Sequence, residues 1–310
     1  MQNGSLSMAP IIRTDGLTKD YGRVRGIDNL SLEVQDGEVL GFLGPNGSGK
    51  TTTIRLLLDL IRPTRGSASI GGFDCQKQSL GARRLVGYLP GEMPVYPELS
   101  GEAYLSYLGR LGADPPDSAT VGRLLSRFEI DASGLKRRMR ELSHGMKRKF
   151  GIVSALMARP RVAILDEPTS GLDPLMIEAF AETLAELKRE GRTTVFLSSH
   201  VLSEVERTCD RVAVIRDGRL AAVQTIAGIR EALPRHVTVR LARAGGSVPP
   251  VVPDAPGVRV VSHDDATWVL EVSGPLGPLL ERMRGLPVED LDVQPASLED
   301  YVLHLYSDRR

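Results

Sequence analysis

The stretch EVLGFLGPNGSGKTTTIRLLLDLIRP, Glu38 to Pro63, decides the fold. It opens on a short apolar run ending at Leu43. It then passes through Gly44-Pro45-Asn46-Gly47-Ser48-Gly49-Lys50-Thr51 and resumes with Ile54, Leu57, Leu58 and Ile61 at helical spacing, stopped before Pro63. The order is strand, glycine-rich loop, helix, and the loop matches G-x-x-x-x-G-K-[ST] in the setting that pattern requires. With average residue usage, the spelling arises by accident in roughly one such chain in a hundred. Glycines let backbone N–H groups turn inward around phosphate oxygens, and the following helix points its positive end at the same anion. Lys50 adds a point charge, contributing roughly 4 kcal/mol per unit phosphate charge at ~4 Å and an effective dielectric near 20, before desolvation. The Thr51 hydroxyl suits a Mg²⁺ shell.

Around this stretch, Ile11 to Asp74 alternates apolar and polar in short runs such as Leu30, Leu32 and Val34, divided by Asp-Gly and Gly-Gly signals, which predicts antiparallel sheet. Val162 to Leu165, Thr194 to Leu197 and Val212 to Ile215 are continuously apolar, as in parallel strands covered on both faces. The helical stretches Leu175 to Arg189 and Val201 to Cys209 lie between them. The expected fold class is α/β, a parallel sheet wrapped by helices with an antiparallel β subdomain. Helical spacing at Glu102 to Leu111, Val121 to Phe128 and Met146 to Met157 predicts a helical insertion over residues 90–159 of a domain spanning 11–228.

From 229 to 310 the pattern predicts a small C-terminal α+β domain. Its strands are expected at Val237 to Leu241, Val258 to Val261 and Trp268 to Val272, its helices at Leu279 to Met283 and Leu298 to Leu305, and a Pro/Gly-rich break at Ala244 to Gly257. Residues 1–10 lack a basic start and an apolar segment of signal length, so they read as a floppy leader.

Composition excludes several classes. At 310 residues, 41% hydrophobic and 25% charged, the chain matches an ordinary globular protein of about two domains rather than a fibre or disordered segment. Lys+Arg and Asp+Glu stand at 39 each, so no global field draws it to nucleic acid, and no nucleic-acid partner is expected. Cys75 and Cys209 stand outside any metal-ligand spacing and read as buried thiols in a reducing compartment. No run approaches the ~18 to 20 apolar residues of a membrane helix. The expected location is cytoplasmic.

A second element, Val162-Ala163-Ile164-Leu165-Asp166-Glu167, ends a buried strand in two carboxylates. Adjacent strand residues point to opposite sides, which predicts separate roles: Asp166 for the Mg²⁺ shell, Glu167 as the catalytic group polarising a water in line with the γ-phosphate. A further strand ends in Ser198-Ser199-His200, on the edge where ligands collect in such sheets, so His200 is placed to contact the γ-phosphate or to orient Glu167.

With these residues in view, the chain resembles the nucleotide-binding subunit of an ATP-binding cassette (ABC) transporter. The resemblance spans Tyr21 to about Gly218 and rests on Tyr21-Gly22, the phosphate loop, Leu142-Ser143-His144-Gly145-Met146, Asp166-Glu167, Ser170-Gly171-Leu172-Asp173 and His200, in family order. It implies a P-loop ATPase fold with ATP and Mg²⁺ as ligands. Tyr21 would stack on adenine, Gly44 to Thr52 would hold the nucleotide, and Thr51 and Asp166 would hold the metal. Leu142 to Met146 would be the signature loop and Ser170 to Asp173 the D-loop. Ser143 is a suitable helix N-cap, and Met146, Phe150, Val153 and Met157 form an apolar stripe behind it. Lys147, Arg148 and Lys149 either deepen the positive helix end or form a solvated basic face.

A phosphate-tuned helix end far from the chain's own cradle suggests a site completed by another subunit. The family does this by packing two domains head to tail, so a homodimer closed by ATP is implied, driving a separate membrane permease. Peripheral attachment to the cytoplasmic face of the membrane follows.

Three positions depart from the family pattern. His144 and Met146 stand where glycine and glutamine are usual, and Gly91, followed by Glu92, stands where a glutamine usually senses Mg²⁺. His144 either adds a donor or fills space, and Gly91-Glu92 form the equivalent of that glutamine loop. Such swaps, with the ending Pro295-Ala296-Ser297-Leu298-Glu299-Asp300-Tyr301, resemble the drug-type exporter branch. An importer motor and a soluble, non-transport cassette ATPase are the alternatives. Residues Glu92 to Tyr107, with Tyr96, Leu99 and Tyr104 expected at the surface, are the candidate surface for docking a permease.

Overall fold

The structure, a computed structural model, describes residues 9–307 apart from 23, 94–95, 113, 243–253 and 265. Most of the expected leader and of the Pro/Gly-rich break lies outside the described residues. Two compact units form, Met1–Val223 and Gln224–Arg310.

The first unit holds two sheets. β1 (Ile12–Tyr21), β2 (Val24–Val34), β4 (Arg65–Ile70) and β5 (Phe73–Asp74) form an antiparallel sheet in the order β2-β1-β4-β5. β3 (Val39–Leu43), β6 (Val86–Leu89), β7 (Val162–Asp166), β8 (Thr194–Ser199), β9 (Arg211–Arg216) and β10 (Arg219–Thr225) form the second, in the order β10-β9-β3-β8-β7-β6. The pairs β9-β3, β3-β8, β8-β7 and β7-β6 are parallel. Every residue of β3, β7 and β8 is buried, which accounts for their unbroken apolar runs.

The helix that follows β3, α1 (Lys50–Leu57), joins the two sheets. Ile54, Leu56, Leu57 and Leu58 share one core with Ile12, Leu30 and Val34 of the antiparallel sheet and with Phe42, Ile164 and Phe196 of the parallel one. The helix stops at Leu57 rather than at Pro63. Asp59 turns left-handed (φ 54) and the Leu60 N–H closes on the Arg55 carbonyl at 2.8 Å, so Ile61 is only half-buried.

After α2 (Ser79–Arg84) and β6, the helical insertion comprises α3 (Gly101–Leu111), α4 (Ser118–Arg127), α5 (Ala132–Lys136), a 3₁₀ turn at Met139–Glu141 and α6 (His144–Leu156). Side-chain caps start α3 to α6: Ser100, Asp117, Asp131 and Ser143 each accept a backbone N–H three residues on. Both α2 and α5 are too short to show a periodic apolar pattern, and the sequence did not announce them. Tyr104, expected at the surface, is buried at 2% exposure on α3, and burial pushes its hydroxyl pKa up to about 12. Its face of α3 turns inward because Leu105 and Gly109 pack on the same side. α7 (Pro174–Glu190) and α8 (Leu202–Thr208) complete the unit.

The second unit holds α9 (Ile226–Ala232), β11 (Arg235–Leu241), β12 (Val258–His263), β13 (Thr267–Val272), α10 (Gly277–Arg282), β14 (Val288–Gln294) and α11 (Leu298–Ser307), with sheet order β12-β13-β11-β14. The division falls before α9 rather than at Ile229, because Ile226 and Ile229 are both buried and α9 packs on α11. β14 was not expected: its sequence VEDLDVQ carries three acids, and as an edge strand paired to β11 it keeps them in solvent. Val237, Val239, Leu270 and Leu279 pack around the buried Trp268. Leu270→Ala is expected to cost about 2–5 kcal/mol, read as a lower urea midpoint followed by emission of Trp268, the one tryptophan of the chain.

Candidate nucleotide-binding site

The loop between β3 and α1 forms a cradle. Gly49 has φ 111, and an added Cβ there would lie 2.6 Å from Ile27 Cγ2, so only glycine turns the chain into the helix at this point. Lys50 is 7% exposed; its Nζ donates to the Gly44 carbonyl (2.6 Å) and the Pro45 carbonyl (3.3 Å) and lies 3.6 Å from Glu167 Oε1. The cradle opens into a pocket of about 750 Å³. Tyr21, Pro45, Asn46, Gly47, Gly49, Lys50, Thr51 and Thr52 line it, together with Gly91, Glu92, Asp166, Glu167, Ser170 and His200. Gly44 and Ser48 sit behind that surface, where a Cβ on Gly44 would meet Ile215 O at 2.3 Å and Ser48 is buried. Tyr21 is 49% exposed, with Lys19 Nζ 5.3 Å from its ring centroid.

Asp166, the last residue of β7, is 2% exposed. Its Oδ2 accepts from the Thr51 hydroxyl at 3.1 Å, and its Oδ1 is buried without a hydrogen-bond partner. A lone buried carboxylate oxygen beside a threonine hydroxyl is a donor set that fits Mg²⁺. Glu167 leaves the strand in a left-handed conformation (φ 51), which costs a side chain about 1–2 kcal/mol, and its N–H donates to Ser198 O at 2.9 Å. Strand alternation therefore stops at Asp166, and the two carboxylates, expected on opposite sides, line the same pocket. His200 Nδ1 lies 2.5 Å from Glu167 Oε2, which puts Glu167 between an imidazole and the Lys50 ammonium.

Leu142 to Met146, expected to be the signature loop, do not line this pocket. Ser143 caps α6 by accepting the Met146 N–H at 3.2 Å and is exposed, as is His144, while Leu142 is buried and Met146 half-buried. Gly145 and His144 pack on the D-loop: a Cβ on Gly145 would lie 2.6 Å from Gly171 O, and one on Gly171 2.4 Å from His144 Cδ2. In that loop Ser170 faces the pocket, Leu172 is half-buried, and Asp173 caps α7 by accepting the Met176 N–H at 3.0 Å.

The basic run after the loop is no solvated face. Arg148 is 1% exposed and Lys149 8%. The Arg148 guanidinium lines the pocket and donates to Pro90 O (2.7 Å) and Gly91 O (2.6 Å). Burial lowers its pKa from the usual arginine value, and the Asp166 and Glu167 charges oppose that shift. The sequence carries a signal for this that the single-stripe interpretation missed. Ile152, Ala155 and Leu156 follow Arg148 at spacings of four, seven and eight, so α6 is apolar on two faces and buried around most of its girth. Arg55 and Tyr88 also line the pocket; burial, with help from the Asp166 charge, pushes the Tyr88 hydroxyl up to about 12.

A glycine cradle opening a helix, facing a buried Asp-Glu pair at the end of a parallel strand, defines a P-loop nucleotide-hydrolysing domain. Residues 27–170 match the family model described as ABC transporter. The daunorubicin resistance ATP-binding protein DrrA3 of Streptomyces coeruleorubidus is 34% identical over 311 residues, covering 96% of each chain. The bacitracin transport ATP-binding protein BcrA of Bacillus licheniformis is 38% identical over 213 residues, 69% of each. Among solved structures, an ATP-binding subunit of an ABC transporter superposes with a TM-score of 0.65 at 32% identity, over 72% of this chain and 92% of that one. The chain belongs to the ATP-binding proteins of ABC transporters, and it is an ABC ATPase.

Removing the cradle ammonium with Lys50→Ala is expected to weaken ATP binding at least tenfold, given the roughly 4 kcal/mol of attraction offset by desolvation; titration with a fluorescent ATP analogue measures it.

Proposed function

We propose that this ABC ATPase works as an ATP-closed homodimer that drives a separate membrane permease in drug-type export. The observation that carries the dimer is the location of Ser143: it caps the positive end of α6, is exposed, and lies outside the pocket of its own chain. A phosphate-tuned helix end with no phosphate site of its own is matched by the cradle of a second copy. The export direction is supported by the relatives named for daunorubicin resistance and bacitracin transport. Among the described residues no helix is long and apolar enough to cross a membrane, so the membrane path would belong to the permease. Attachment to the cytoplasmic face follows from that partner.

In this scheme Tyr21 stacks on adenine, and Lys50 with the N–H groups of residues 45–52 binds the β- and γ-phosphates. Thr51 and Asp166 would hold Mg²⁺, which would supply positive charge to the phosphate oxygens. Glu167, oriented by His200, accepts the proton of a water aligned with the γ-phosphate. Ser143 and the Gly145 N–H of a second copy close on that phosphate. Swinging a dimer from 1:99 to 99:1 closed takes about 5.5 kcal/mol. Over two sites that is roughly 2.7 kcal/mol each, within the range of one or two charge-assisted hydrogen bonds.

Glu167→Gln is expected to lower kcat by roughly 10²- to 10⁴-fold while ATP converts the protein to a stable dimer on size-exclusion chromatography with light scattering; a monomeric variant at full turnover removes the assigned roles. For permease docking, with Tyr104 buried and Leu99 only half-buried rather than at the surface, the exposed aromatic pair is Tyr96 and Tyr107, at 39% and 41% with ring centroids 5.2 Å apart. Tyr96→Asp should keep ATPase activity and abolish drug export from cells, whereas Tyr104→Asp should lower the melting temperature.

A further inference from the structure

Arg148 is a cation buried as fully as the core phenylalanines. Its two Nη groups donate to main-chain carbonyls, its Nε meets no acceptor, and among the described residues it forms no ion pair. A guanidinium so placed exchanges hydration for two main-chain carbonyls and the charges of Asp166 and Glu167 across the pocket, with no direct ion pair, so packing alone gives no reason for it. Its position does. Arg148 stands on the second turn of α6, whose first residues belong to the proposed signature loop, and it grips the backbone of Pro90 and Gly91, which line the pocket with it.

Gly91 in turn lies against the metal carboxylate: a Cβ there would be 3.2 Å from Asp166 Oδ2, the oxygen that also accepts from Thr51. Having no side chain, Gly91 can act on that carboxylate only through its backbone, and Arg148 is what holds that backbone. Within one chain, α6 thus runs from the Ser143 cap to Arg148, whose hydrogen bonds hold the backbone of Pro90 and Gly91, and Gly91 stands beside Asp166, the acceptor of the Thr51 hydroxyl.

We propose that Arg148 is a positioning residue that couples the two half-sites of each chain. When α6 shifts as its signature loop engages the nucleotide of the second copy, the guanidinium carries the shift through residues 90–91 to Asp166 of the chain's own cradle. This rests on the ATP-closed dimer proposed above. The two nucleotides of the dimer then close and turn over as a linked pair rather than independently.

The test is steady-state ATPase activity against ATP concentration for the full chain carrying Arg148→Gln, Arg148→Lys or Gly91→Ala, with melting temperatures alongside. The wild-type Hill coefficient should approach about 2, the number of sites. In Arg148→Gln it should fall toward about 1, with kcat lowered roughly 2- to 30-fold. Arg148→Lys, which keeps the charge and can reach a carbonyl, should restore part of the cooperativity. Gly91→Ala, pressing on Asp166 from the other end of the path, should also lower the Hill coefficient.

A lowered melting temperature with an unchanged Hill coefficient makes Arg148 merely structural and overturns the proposal, as does a wild-type coefficient of 1. If Arg148→Gln fails to fold, native cooperativity in both Arg148→Lys and Gly91→Ala overturns it, and loss of cooperativity in Gly91→Ala supports it. The Glu167→Gln trap separates the two levels. Without an ATP-dependent dimer the dimer itself falls and this coupling with it; a trapped dimer beside a fully cooperative Arg148→Gln removes the coupling alone.

Discussion

Leu43 pairs with Ser199, and Asp166 with Ser198, in a parallel sheet whose central strands are buried throughout, and the site depends on that register. The glycine loop, the carboxylate pair and His200 lie far apart in sequence, yet each follows directly from the end of a strand on the same sheet edge. A shift of one residue in β7 would turn Asp166 away from Thr51 and break the 3.1 Å contact between them. Parallel strands tolerate such exactness because both faces are packed: α1 and the antiparallel sheet lie on one core with Phe42, Ile164 and Phe196.

Upon that frame the chemistry is set by one local departure from regular structure. Glu167 lies beyond the last residue of β7 in a left-handed conformation, with its N–H on the Ser198 carbonyl. The turn swings its carboxylate back beside Asp166, within reach of both Lys50 and His200. The conformational cost is of the same order as one hydrogen bond to a charged partner, so the contacts Glu167 gains are enough to hold it.

The helical insertion plays a different part. Its helices start on side-chain caps that local sequence supplies, but α6 is packed on two faces and ties the insertion to the catalytic edge through Arg148. The same helix places Gly145 against Gly171 of the D-loop. The loop Leu142 to Met146 is thus outside the chain's own pocket and still joined, through Arg148 and Gly145, to the segments beside it.

Local pattern in the chain determined the strand-loop-helix, the buried parallel strands and the Ser143 cap of α6, because period, turn chemistry and the phosphate loop are written within short windows. It also separated an α+β unit at the C-terminal end, although α9, whose buried face packs on α11, had to be seen before the boundary moved to Gln224. Only the tertiary structure decided the burial of Tyr104 and Arg148, the common pocket of Asp166 and Glu167, and the edge strand β14. Each depends on what lies opposite in space: the neighbours that close over α3 and α6, the Ser198 carbonyl that catches the Glu167 N–H, and β11 as the partner of an acidic strand. Periodicity reveals the second apolar face of α6, but whether the charged Arg148 at its start is covered or solvated is decided by the surface that lies opposite.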